Sequence, residues 1–203
     1  QRRYHQYSSN PPDDEDTLEW LSIMRHYGAP TRLLDWTYSL TVATFFALRF
    51  ADRKKDAAVW RLNEDWCERE SISALERVQK ETNYITQDVE ELLKKEFDNI
   101  FISPPAWKGI ALVNPFRLNV RLRSQRGIFT AVGDVRSGFM ENLFSFAGCD
   151  DPNNVAKLVI KNTAIDEILL GIANLNISNA LLFPDLVGFS EGLGVLDASV
   201  WKQ

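Results

Sequence analysis

The chain of 203 residues holds only two histidines and two cysteines. Cys67 and Cys149 lie far apart, form no CxxC pair and have only His5 and His26 to join them. Neither a disulfide framework nor a zinc site can be read from that set, and no metal cofactor is expected. Free thiols in a reducing compartment, the cytoplasm, are the expectation. No apolar run approaches the roughly 20 residues that span a bilayer, and no signal-peptide pattern is present. There is no Walker loop, no GxGxxG after a strand, no GxSxG, no HExxH and no carboxylate pair in an obvious apolar setting. Local motifs therefore give no support to kinase, dehydrogenase or hydrolase chemistry. The start, QRRYHQY, has no Met and reads as a stretch from within a longer chain, so truncation at the N-terminus is expected.

What is present is a large supply of apolar and aromatic side chains. The chain is 45% hydrophobic, with six Trp and twelve Phe, enough for a bulky core. Its net charge is −5, so it does not attract polyanions as a whole. Nucleic-acid contact would need a local basic patch.

The hydrophobic pattern alternates between helical and strand periods. Leu18, Trp20, Leu21, Met24 and Tyr27 recur at helical spacing after the acidic loop SSNPPDDED, with Asp14 and Asp16 suited to the first turn and Gly28 and Pro30 to the stop. Residues 31–36 read as extended. Residues 39–51, SLTVATFFALRFA, are apolar nearly all round and predict a buried helix capped by Thr37 or Ser39. Strands are expected at 57–63, 110–114, 127–132 and 155–161, a short helix at 116–124, and an amphipathic helix at 163–175. Residues 64–99 carry charges at helical spacing and read as two solvated helices, a candidate insertion. The mixture lacks a regular βαβ rhythm, which favours α+β over doubly wound α/β. The expected architecture is one domain over 1–203, a small twisted mixed sheet with the 39–51 helix buried against it.

Three stretches carry chemistry. The first is HYGAPTRLLDWT, residues 26–37. His26 in a last helical turn either stabilises the helix end or serves as a ligand donor or acid/base group. Arg32 and Asp35, three apart, either pair with each other or divide the work. In the second case Arg32 anchors a phosphate or carboxylate, and Asp35 accepts bonds from ligand hydroxyls or orders the turn. Trp36 is a core anchor or a stacking surface; Thr37 is a cap or a phosphate or ribose contact. The second stretch is RLNVRLRSQRGIF, residues 117–129, with Arg117, Arg121, Arg123 and Arg126 and no acid among them. It is a solvated face or a phosphate-binding rim. Gln125 offers an amide that donates and accepts. The third is FPDL, residues 183–186, where Asp185 behind Pro184 most simply starts a helix.

The first stretch also carries a resemblance. From Trp20 to Ala47 the sequence, with His26, Gly28 and the run Pro30-Thr31-Arg32-Leu33-Leu34-Asp35-Trp36-Thr37, strongly resembles the central signature of the FRG domain, a bacterial and phage-associated family. Gln125, Gly127 and Phe129, and Phe183 to Leu186, resemble two later segments of that family. The family's N-terminal aromatic-Arg-Gly motif is not found before His26. The family's layout is similar to that of ADP-ribosyltransferases. It implies NAD as substrate, with Arg32, Asp35 and Gln125 as catalytic candidates and His26, Thr31, Trp36 and Thr37 as binding groups. The leading expectation is thus NAD-dependent ADP-ribosyl transfer or NAD cleavage by an enzyme, in a toxin or phage-defence setting. The alternative is a non-catalytic module that binds a nucleotide or nucleic acid through the four arginines. A third reading is a protein-interaction domain that uses the acidic helices of 64–99.

Overall fold

A computed structural model describes residues 11–82, 97–102, 106–115 and 120–184. The elements are α1 (Thr17–His26), β1 (Leu33–Thr37), α2 (Leu40–Leu48), β2 (Ala57–Leu62), α3 (Glu64–Thr82), α4 (Phe97–Phe101) and β3 (Ile110–Val113). They continue with α5 (Val120–Ser124), β4 (Gly127–Val132), α6 (Phe139–Leu143), β5 (Val155–Ile160), a 3-10 turn at Asn162–Ala164, α7 (Ile165–Asn174) and α8 (Asn179–Leu182). This is an α+β fold, as the mixed periodicity implies. Among the described residues the strands make two small sheets, one ordered β1-β4-β3 and one made of β2 and β5. β3 pairs antiparallel with β4, placing Ile110 opposite Val132 and Val113 opposite Phe129. β2 pairs antiparallel with β5, from Ala57 opposite Ile160 to Leu62 opposite Val155.

The chain divides into two compact units. Unit one comprises residues 1–35, 63–117 and 129–154; unit two comprises 36–62, 118–128 and 155–203.

In unit one, α1 starts where the Asp16 carboxylate accepts the Glu19 amide at 2.9 Å. It ends where Gly28, at φ +80°, turns the chain. The Ala29 amide then reaches the Met24 carbonyl at 2.9 Å and the Gly28 amide reaches Arg25 at 3.0 Å. These are the paired bonds of a glycine-terminated helix, which satisfy carbonyls the helix leaves open. α3 is not solvated all round: Trp66, Cys67, Ser71 and Leu75 are buried. The Ser71 hydroxyl lies 2.6 Å from both the Cys67 and the Ile110 carbonyl, next to β3. Trp107 packs at Gly133, where an added Cβ would overlap the Trp107 carbonyl oxygen. Asn142 is fully buried and ties Gly109 to the turn at 134–138. Its Oδ1 accepts the Gly109 and Asp134 amides, and its Nδ2 donates to the Asp134, Ser137 and Gly138 carbonyls. A buried amide with all its capacity used fixes its neighbours firmly.

In unit two, Ser39 caps α2 by accepting the Val42 amide. The helix packs against β2 and α7. Val42 and Phe45 form a cluster with Ile172, Leu182 and Phe183. α2 is shorter than the apolar run that encodes it, and it is one-sided. Val42, Phe45 and Leu48 are buried, whereas Leu40 and Phe46 are exposed.

Candidate functional site

The His26–Thr37 stretch leaves α1, passes the Gly28 turn and enters β1. Its residues up to Asp35 belong to unit one, and Trp36 and Thr37 to unit two. In unit one, Arg32 is half-buried and turned inward. Its Nη1 donates to the Phe101 carbonyl. Its Nη2 donates to the carbonyls of Val132 at 2.8 Å and Gly133 at 3.4 Å. The guanidinium lies 5.2 Å from the centre of the Phe101 ring, and its buried Nε has no hydrogen-bond partner. Burial lowers the Arg32 pKa from its ordinary value. A cation tied to three backbone carbonyls and one ring works as a staple between the ends of α4 and β4.

Arg32 and Asp35 do not pair. Asp35 takes Arg25 of α1 instead, at 2.6 Å, with both side chains partly exposed. Thr31 accepts the Leu33 amide through its hydroxyl at 3.2 Å. His26 lies edge-on to Tyr27, ring centres 4.8 Å apart. Beside them a groove of about 590 Å³ runs along α1, lined by Thr17, Trp20, Leu21, Ile23, Met24 and Tyr27 with Ala29.

In unit two, Thr37 and Gln125 meet. The Thr37 hydroxyl donates to the Gln125 backbone carbonyl at 2.7 Å and accepts the Ser39 amide at 3.0 Å. The Gln125 side-chain amide donates to the Leu182 carbonyl at 3.0 Å, at the end of α8. Trp36 is half-buried.

Of the four arginines in the basic stretch, Arg117 lies outside the described residues, as does Asp185 of the FPDL segment. Arg121 stacks over Phe183, 4.4 Å from the ring centre, and Arg49 lies over the same ring at 4.6 Å. Arg123 and Arg126 are exposed. Arg126 takes φ +49°, a left-handed turn between α5 and β4, while its carbonyl accepts the Tyr38 amide at 3.0 Å. Sequence reasoning missed Arg49, because it ends an apolar helix with no basic neighbours before it. It also missed Trp60 and Lys157, cross-strand partners on β2 and β5.

Among the described residues, no group of three or more His, Cys, Asp or Glu is placed to hold a metal ion. Among them, too, no helix is long and apolar enough to cross a membrane.

No curated protein and no solved structure matches the chain. The family model of the FRG domain matches residues 1–58. That span contains the whole signature from Trp20 to Ala47, and with it α1, β1 and α2; the two later echoes, at 125–129 and 183–186, lie beyond it. Over residues 1–58, therefore, the chain is similar to the FRG domain.

Proposed function

We propose that the chain is a nucleic-acid-binding module and that unit two is its binding lobe. The observation that carries this reading is the division of charge. Unit two holds eleven Lys and Arg against seven Asp and Glu, whereas unit one holds twelve against twenty-one. Three of the seven acids of unit two hold cations of their own unit. Asp166 takes Arg53 at 2.8 Å, Asp56 takes Lys161 at 2.8 Å, and Asp52 takes Lys55 at 3.9 Å. A lobe with a surplus of arginine and lysine attracts phosphates and releases counterions, even in a chain of net charge −5.

The test is binding of a labelled oligonucleotide across a salt series. Affinity should fall steeply with salt. The double variant Arg123→Ala/Arg126→Ala should flatten the log–log slope by about 1.4–1.8, the loss of two phosphate contacts. Binding that ignores salt, or no binding at low salt, overturns the proposal.

NAD cleavage through the signature residues ranks second. It would require Arg32 to release its carbonyls, Gln125 to release Leu182 and Asp35 to release Arg25. A nicotinamide-release assay separates the two readings. Release above background that disappears in Gln125→Ala would reinstate the enzyme. A toxin or phage-defence setting rests on the family resemblance alone.

A further inference from the structure

We infer that the open face of the β2–β5 sheet is a stacking platform for single-stranded nucleic acid, with Trp60 as the residue that receives a base. The inference rests on the reading of unit two as the nucleic-acid lobe and adds the class of strand and the contact. β2 and β5 form a two-stranded ribbon in which alternate residues share a face. The register sets Trp60 opposite Lys157 and Ala58 opposite Val159. These four residues lie on one face, and there Trp60 is 42% exposed and Val159 53% exposed. On the other face Val59 is buried and Leu158, opposite it, is exposed. The face bearing the indole is open at Trp60, Lys157 and Val159.

A tryptophan left this exposed forfeits much of the stabilisation its burial would give. A cation sits over its ring: the Lys157 Nζ lies 5.6 Å from the ring centre. An ammonium on a flexible stem can leave the ring for a phosphate while a base takes its place. An aromatic face with cations beside it is what unpaired strands use: bases stack, phosphates pair, and no particular sequence is required. A duplex hides its base faces and offers only phosphates, sugars and groove edges. Charge complementarity and the single exposed indole on the ribbon therefore favour the unpaired strand.

The experiment measures affinity for an oligothymidine strand about 15 nucleotides long, and for a duplex of matching length, at one salt concentration. The strand should bind more tightly. Trp60→Ala should weaken strand binding roughly tenfold and leave duplex binding nearly unchanged, whereas Trp60→Phe should retain most of the affinity. Tryptophan fluorescence should be quenched by unlabelled strand in the wild type and far less in Trp60→Phe, a readout that does not depend on Trp60→Ala folding. If strand and duplex bind equally, Trp60→Ala binds the strand as tightly as wild type and the quenching of Trp60→Phe matches wild type, the platform is refuted while the basic lobe stands. If neither nucleic acid binds, the lobe itself is refuted, and the platform with it.

Discussion

Arg32→Ala should unfold the chain more easily rather than remove a ligand contact. The guanidinium makes two close hydrogen bonds, to the Phe101 and Val132 carbonyls, a longer one to Gly133, and a ring contact with Phe101. Hydrogen bonds from a charged donor contribute about 1.5–3 kcal/mol each when buried. Arg32 is only half-buried, so water would replace part of what is lost and roughly half of that should be counted. A ring contact adds about 0.5–1 kcal/mol. The sum is about 2–4 kcal/mol, a fall in Tm on the order of 10 °C for a chain of this size. Arg32→Lys keeps the charge but not the fork that reaches two carbonyls at once, so it should recover less than half of the loss. Urea unfolding followed by far-UV circular dichroism measures both variants. An Arg32→Ala chain with an unchanged midpoint, yet with lost binding or turnover, would refute the reasoning and return Arg32 to a ligand.

Three further outcomes follow from unit one. Gly133→Ala places a Cβ against the Trp107 backbone oxygen and should lower stability by about 1–3 kcal/mol, read from the denaturant midpoint; a neutral result would mean that the loop gives way freely. Arg136 holds the Asp134 carboxyl below its ordinary pKa through side-chain and backbone hydrogen bonds. The stability this contributes is present above the unfolded value of about 4 and disappears as pH falls through the lower folded value. Asp134→Asn should therefore destabilise the chain at pH 7, and the difference from wild type should vanish in acid; a difference constant with pH would contradict it. Burial pushes the Cys67 thiol up to about 12. Iodoacetamide should thus label the native chain at Cys149 alone and both cysteines in urea, as mass spectrometry would show.

Local patterns were legible where local chemistry decides. The apolar run GIFTAV marks β4 at 127–132, Gly28 stops α1, and Ser39 caps α2. Arg32 and Asp35 were not legible in the same way. Their three-residue spacing invites a local pair, but the carbonyls that hold Arg32 lie about 70 and 100 residues away and any residue can supply one. Asn142 gave no signal for the same reason, since its partners are backbone groups assembled only by the fold. The apolar run 39–51 predicts burial but not which side, and only packing against β2 and α7 leaves Phe46 exposed. The charge division is invisible in the net charge because the two units interleave along the chain. The basic stretch at 117–129 was legible, whereas the meeting of Arg121 with Arg49 over the Phe183 ring required the topology.

The most direct measurement is photo-crosslinking of a bound single strand, followed by mass mapping of the modified peptides. Crosslinks concentrated in 50–62, 120–128 and 155–161 are the predicted result. Crosslinks confined to unit one, or none at low salt, would contradict the assignment of nucleic-acid binding to the basic lobe.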